Sequence, residues 1–347
     1  MNLELSDEQR LLADTARAFV DRHADDADPW PAMRDTGWAG LLVPEEHGGS
    51  GAGMTEFVLV CEALGRGPVV SPLIPSVTAA LALRWAGTPD LQDQWLPTLA
   101  TGAFTGTVAV LEAGMRDEWS PAPMSGLGAL TGTKVLVPWV PDVAVIVVVT
   151  SEGLRVVERS GAVRVHDHDP LCAEPHAALT FQQAPAERLG STADSAVVLA
   201  RVLDYNAVAR LAYAIGAAER ALELSVDHAT NRHQFGRPIG TFQAVAHRCA
   251  EMRADVDACR YLAYRAAWAL DHDADAAIAV TAAKSFANDA MRRVFLHAHQ
   301  VHGAMGFATE HELHRYTRVA KSFELSLGGT TRHRDRLATE IGLGSRP

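Results

Sequence analysis

A mainly α protein with a small β-domain is predicted from three features of the 347-residue sequence. Apolar residues recur at helical spacing from Ser6 to about Ala103, and they do so again, more regularly, from Ser191 onward. Between these stretches, from about Phe104 to Gly190, short β-branched runs are punctuated by Gly and Pro. The order gives three expected domains: an N-terminal helical domain at 1–103, a middle β-domain at 104–190 and a C-terminal four-helix bundle at 191–347.

The first helix is announced by Ser6 followed three residues later by Gln9, the spacing of a capping box, with Leu12, Ala16 and Phe19 continuing an apolar stripe. The glycines of Pro44-Glu45-Glu46-His47-Gly48-Gly49-Ser50-Gly51-Ala52-Gly53 read as a connecting loop before a helix at Met54 to Leu64. This loop lacks the GK[ST] ending of a phosphate loop and follows no clear strand. In the middle third, Val143 to Val149, Leu154 to Glu158, Ala162 to Val165 and Ala177 to Phe181 are strand candidates; the valines and the shortness of the first favour a strand over a buried helix. In the last third, Val208, Leu211, Ile215, Ala218 and Leu222 alternate three and four apart. So do Val245, Cys249, Met252, Val256, Cys259, Ala263, Ala266 and Leu270, and then Phe286, Ala290, Val294, His297 and Val301. Short connections at Arg232 to Thr241 and Asp271 to Asp275 imply antiparallel neighbours, with Tyr316 to Ile341 completing the bundle and Gly342 to Pro347 as a short tail.

Composition limits the function. A net charge of -11 disfavours nucleic acid or an anionic membrane as partner, although local cations can still hold an anionic ligand. Cys61, Cys172, Cys249 and Cys259 form no CxxC pair, which suits a reducing compartment and packing roles. Met1 to Arg10 is acidic and polar, unlike a secretory signal, and no stretch is apolar enough to span a bilayer, so a cytoplasmic location is expected. Low aromatic content with abundant alanine suggests closely packed helices. His166, His168, His297, His299, His302, His311 and His314 invite a metal reading, but no HExxH or cysteine partner accompanies them, and no metal site is predicted. The serines lack a GxSxG elbow, so nucleophilic hydrolysis has no support.

Two segments carry chemistry. Arg232 closes the first bundle helix and is followed by Gln234, Phe235 and Gly236, then Pro238 and Ile239 before Phe242 and Gln243 open the next. A guanidinium presents fixed donors to a pyrophosphate, Gln234 adds an amide, and Phe235 offers an apolar wall. Read alone, Arg232 is better explained as a cap on the helix C-terminus, where its charge complements the macrodipole. The second segment is Gln300-Val301-His302-Gly303-Ala304-Met305-Gly306-Phe307, where an amide stands beside close-approaching glycine backbone.

Arg232-x-Gln234-Phe235-Gly236-x-x-Ile239-x-x-Phe242-Gln243 resembles the signature of the acyl-CoA dehydrogenase family, and Gln300-x-x-Gly303-x-x-Gly306 is similar to that family's second segment. Pro44-Glu45-Glu46-x-Gly48-Gly49 and Arg315-x-x-Arg318-x-x-Lys321 also look like family features, so the similarity covers nearly the whole chain. The resemblance implies an N-terminal helical domain, a middle β-barrel-like domain and a C-terminal four-helix bundle, assembled as dimers or tetramers. It also implies FAD, gripped across a subunit interface by Arg232, Gln234, Phe235, Ile239, Gln243, Gln300 and Gly303. The substrate would be an acyl thioester of coenzyme A or of a carrier protein.

Departures from the pattern bear on catalysis. Where a typical member has a glutamate before Gly-Thr, this chain has Leu325-Ser326-Leu327-Gly328-Gly329-Thr330, which places Gly328 or Leu327 at that position; neither accepts a proton. The alternative position used by some members matches Asn206 and Ala207. Glu324 and Asp204 are the nearest carboxylates. The usual Thr-Glu-Pro-x-x-Gly-Ser-Asp is replaced by Leu111 to Glu118, and the Trp-Ile-Thr-Asn-like flavin wall by Val137-Pro138-Trp139-Val140. The leading expectation is therefore a subunit without its own base, which completes the FAD site of a homologous partner. The alternatives are a self-sufficient flavoenzyme using Glu324 or another carboxylate, and a flavin-free homologue acting without redox on a thioester or polyketide-like substrate.

Overall fold

Ser6 accepts from the Gln9 amide while the Gln9 side chain accepts from the Ser6 amide, so both halves of the capping box are present and α1 runs Asp7–His23. Such a cap contributes about 1 kcal/mol. Ala16 and Phe19 of its stripe are buried. The computed structural model describes residues 4–120, 122–139, 143–168, 174–272 and 275–343. Val140, Cys172 and the 344–347 end of the predicted tail lie outside them.

The remaining helices of the first third are α2 Trp30–Arg34, α3 Met54–Arg66, α4 Leu73–Ala86 and α5 Pro89–Ala100. The glycine-rich stretch before α3 is a loop with a single 3-10 turn at Glu45–His47. α4 is buried almost throughout, because its faces are apolar on all sides.

Seven strands follow: β1 Thr105–Ala109, β2 Leu130–Pro138, β3 Val143–Thr150, β4 Gly153–Glu158, β5 Val163–His168, β6 His176–Ala184 and β7 Glu187–Leu189. They form two sheets, β1-β3-β4-β7 and β2-β6-β5, with β1 parallel to β3 and the other pairs antiparallel. Ile146 and Val148 from the first sheet share one core with Leu130, Leu179 and Phe181 from the second. β1, β2 and β7 escape the sequence reading. β1 and β7 are too short to show a period, and β2 carries Gly132 and Lys134 on the face where a strand pattern expects apolar residues.

The last third contains α6 Thr192–Asn231, the two-stranded hairpin β8 His233–Gln234 and β9 Arg237–Pro238, then α7 Gln243–His272, α8 Ala276–His302, α9 Leu313–Leu325 and α10 Thr330–Glu340. Val208, Leu211, Ile215, Ala218 and Leu222 are all buried, as are Met252 through Leu270 of the α7 stripe. On α8 the buried face is rotated from the expected one. Phe286 is partly exposed, whereas Ala283, Lys284, Ala287, Asn288 and Met291 are buried with Val294 and Val301. The stretch Tyr316 to Ile341 is two helices, broken at Ser326–Gly329 because Leu327 (φ 54°) and Gly328 (φ 77°) both adopt left-handed backbone.

The chain divides into two compact units. One comprises Met1–Asp25, Val58–Val69 and Ala207–Pro347; the other comprises Asp26–Phe57 and Val70–Asn206. Within the first, α3 and α6 cross with backbones in contact, since a Cβ on Gly65 would overlap the Tyr213 carbonyl and one on Gly216 the Glu62 carbonyl. The close packing expected from the alanine content is achieved here. Beside this crossing, a cavity of about 550 Å3 has an apolar side of Ala13, Val20 and Leu59 and a charged side. Glu62 accepts from Arg260 Nε at 2.8 Å and from Tyr264 Oη at 2.9 Å, and Glu219 accepts from Arg260 and Arg253 at 2.7 Å each. Burial opposes the Arg260 charge, but Glu62 and Glu219 outweigh it and raise the guanidinium's affinity for its proton. These acids and bases satisfy one another, so the cavity reads as a fastening between helices.

Cys61 and Cys259 are buried, and burial pushes the Cys259 thiol up to about 12 and Cys61 further, as packing roles require. Among the described residues, no helix is long and apolar enough to cross a membrane. Among them, too, no group of three or more His, Cys, Asp or Glu side chains could hold a metal ion.

Candidate functional site

α6 ends at Asn231, and the next residues fold back at once as a hairpin whose two-residue turn is Phe235-Gly236. Both turn residues have positive φ, 53° and 79°. This suits the primed turns that match strand twist, where Gly is at home and Phe is not. A non-glycine residue held there costs on the order of 1–3 kcal/mol. Phe235 is moreover 92 % exposed, with its ring edge-on to Phe242. Neither strain nor exposure benefits this chain's own core, which is the first indication that the tip meets something outside it.

The polar groups beside it point the same way. Arg232, Gln234, Gln243 and Gln300 are exposed, and among the described residues their side chains make no hydrogen bond or ion pair. Ile239 is half-buried, its amide donating to the Arg232 carbonyl at 2.8 Å, which closes the hairpin onto the end of α6. Arg232 does not serve as the side-chain cap of its own helix, the alternative its position allowed. Gln300 lies in the last turn of α8, and Gly303 terminates that helix at φ 60°, ψ -141°, a region open almost solely to glycine. A Cβ on Gly303 would meet nothing, so its backbone stands open to approach; Gly306 instead packs tightly against His302 and His299.

The ends of α6 and α8 meet through histidines. His228, one turn before Arg232, stacks on His302 with ring centroids 4.8 Å apart, and His302 meets His311 edge-on at 4.7 Å. The structure thus packs His302 of the second segment against the last turns of α6, which lead into the first. The stack escapes the sequence reading because its rings come from residues 228, 302 and 311; the one local signal is His228 four residues before Arg232.

The turn between α9 and α10 has a different character. Three buried side chains hold its carbonyls: Lys284 Nζ donates to Phe323 O at 2.6 Å, Asn288 Nδ2 to Gly328 O at 3.4 Å, and His333 Nε2 pairs with Leu327 O at 2.7 Å. Lys284 also lies 3.7 Å from the centre of the Phe323 ring. Burial pushes the His333 imidazole down to about 4, so it is a neutral donor over the ordinary range. A Cβ on Gly328 would come within 3.1 Å of Arg332 Cγ and 3.3 Å of His333 Nε2. Adjacent Glu324 bonds to Lys321 and Arg292. Burial pushes its carboxyl up, but those two cations more than offset this and hold it below the usual range, unfavourable for taking a proton at neutral pH. Asp204 is buried.

In the β-domain, Glu112 accepts from the fully buried Lys134 at 2.6 Å and from the Met124 amide at 3.1 Å. Val137 is buried, and Trp139 has φ 51° with its amide donating to Pro175 O at 2.8 Å.

Comparison with known proteins agrees with this architecture. Residues 6–103 match the acyl-CoA dehydrogenase N-terminal domain and residues 196–342 the C-terminal domain. The chain is 33% identical over 335 residues to the acyl-CoA dehydrogenase FadE27 of Mycobacterium tuberculosis, covering 91% of this chain and 88% of that protein. Among solved structures, the ChsE4-ChsE5 complex of Mycobacterium tuberculosis superposes with TM-score 0.87 at 31% identity, with 100% of both chains covered. A Tcur3481-Tcur3483 steroid ACAD variant does so with TM-score 0.88 at 28% identity, over 96% of this chain and 98% of that one. The mainly helical fold with its small β region, the paired motif segments and these full-length similarities establish the chain as a member of the acyl-CoA dehydrogenase family, an oxidoreductase of that type.

Proposed function

We propose that this chain is a subunit without its own proton acceptor, which completes the FAD site of a homologous partner in the α,β-dehydrogenation of an acyl thioester. The observation that carries the reading is an exposed set of polar side chains, Arg232, Gln234, Gln243 and Gln300, that make no hydrogen bond or ion pair among the described residues, in a chain with Gly328 or Leu327 where the family resemblance implies a glutamate. Arg232 and Gln300 would hold the pyrophosphate, with Gln234 and Gln243 adding amides, Phe235 and Ile239 giving an apolar wall, and Gly303 letting backbone approach closely. FAD, when bound, supplies the hydride acceptor. This chain's residues bind and orient it; the proton of the thioester substrate is removed by a carboxylate of the partner. That the similar solved structures include the ChsE4-ChsE5 complex supports a hetero-oligomer. The substrate would be presented by coenzyme A or a carrier protein, and the assembly would act in the cytoplasm without nucleic acid or membrane.

Co-expressed with a base-bearing homologue, the chain is expected to purify as a yellow complex, and alone to turn over no acyl-CoA with an artificial acceptor. A yellow, homomeric and active single chain would overturn the proposal. Within the complex, Arg232→Ala should weaken FAD binding tenfold to a hundredfold, the scale of about 1.5–3 kcal/mol for hydrogen bonds to a charged group. Flavin absorbance during titration measures it.

Glu324→Gln separates this reading from a self-sufficient flavoenzyme. Activity within about twofold of the parent is expected, because the carboxylate is engaged by Lys321 and Arg292. A loss of a hundredfold or more, the scale of a missing general base, would identify Glu324 as the acceptor instead.

A further inference from the structure

We propose that the imidazole stack of His228, His302 and His311 is the positioning element that couples Arg232 to the Gln300–Gly306 segment, and that acid uncouples them. The inference rests on the proposed FAD grip for its functional meaning, but its structural half stands alone. His302 is buried, and its Nδ1 pairs with the Ala298 carbonyl at 2.8 Å, which fixes the ring between its neighbours. Face-to-face contact with His228 and edge contact with His311 is favourable while the rings are neutral. Two like charges at that separation would repel, and every charged or titratable group acting on the pair has the same sign. From α6 that group is Arg232, from α8 His299, and from the segment before α9 His311. Of the two carboxylates beside His311, Glu312 is engaged by Arg220 and Tyr316, and Glu310 is exposed. In the first turn of α9, His314 pairs with the His311 carbonyl.

Burial pushes both His302 and His228 below the ordinary histidine range, with the neighbouring rings, and for His228 also Arg232, acting in the same direction. The sign follows. An opened segment, with its rings in water, takes up protons near the ordinary value of about 6.5, whereas His228 and His302 in the closed stack do so only at lower pH. The closed form is therefore at full strength above that value and loses ground as pH falls below it, by up to about tenfold per pH unit for each of these two imidazoles. Gly306 transmits the change, since it packs directly on His302 and His299.

Hydrogen exchange of the full chain, corrected for intrinsic rates, tests this. Amides of residues 303–311 are expected to lose protection at least tenfold between pH 7.5 and 5.5, while the middle of α8 does not change. In the His228→Phe, His302→Phe double variant the loss should shrink to under twofold, and in either single variant, should the double fail to fold, to an intermediate value. Equal protection at both pH values in the parent, or an undiminished loss in a folded phenylalanine variant, would overturn the proposal. Flavin retention by the partner complex, followed over the same range, separates the two readings. Exchange that responds to acid while flavin stays bound would support the stack and overturn the grip.

Discussion

Glu112→Gln is expected to lower the unfolding free energy by about 3–5 kcal/mol, the cost of leaving a buried charge without its partner. Lys134 is 0 % exposed, and its ammonium is held by Glu112 at 2.6 Å and the Val110 carbonyl at 3.0 Å. Burial pushes the Lys134 ammonium down and Glu112 pushes it back up, so the neutral amide removes the opposing influence and strands the cation between sheets. Urea denaturation of the single variant, and of a Glu112→Gln, Lys134→Met double variant, measures it. The double variant should recover most of the loss, because no unpaired charge remains. A single-variant loss below about 1 kcal/mol would mean that the pair contributes no more than an exposed ion pair.

Gly65→Ala and Gly216→Ala should each cost at least about 3 kcal/mol, at the upper end of overpacking effects. In both cases the added carbon would strike a backbone carbonyl of the crossing helix, which no rotamer change can move aside. Because both relieve themselves by parting the same two helices, the double variant should cost less than the sum. Gly161→Ala is the control: nothing lies within 4 Å of its would-be Cβ, and it should change stability by under about 0.5 kcal/mol. If Gly65→Ala melts like the control, the α3–α6 crossing is looser than the structure places it.

How far the fold could be read ahead depended on the range of the signal. The α6 and α7 stripes were legible because burial on one face imposes a 3.6-residue period on neighbouring residues. α8 was legible as a helix but not in phase. Its buried face carries Lys284 and Asn288, polar residues that a hydrophobic pattern assigns to water and that are buried here because they bind carbonyls around residues 323 to 328. β1 and β7 were invisible because strands of five and three residues show too little alternation to stand out.

The candidate site divides similarly. Residue type and spacing along the chain determined by themselves that Arg232, Gln234 and Gln300 sit at helix ends beside glycines, which is a property of short segments; that Gly328 or Leu327 stands where a glutamate is usual is what the family resemblance implies. Only the tertiary structure decided that Glu324 is engaged by Arg292, that the turn at Gly328 is clamped by Lys284, Asn288 and His333, and that histidines join the ends of α6 and α8. Such pairings form between groups tens of residues apart, where distance in space is set by packing and leaves no period in the sequence.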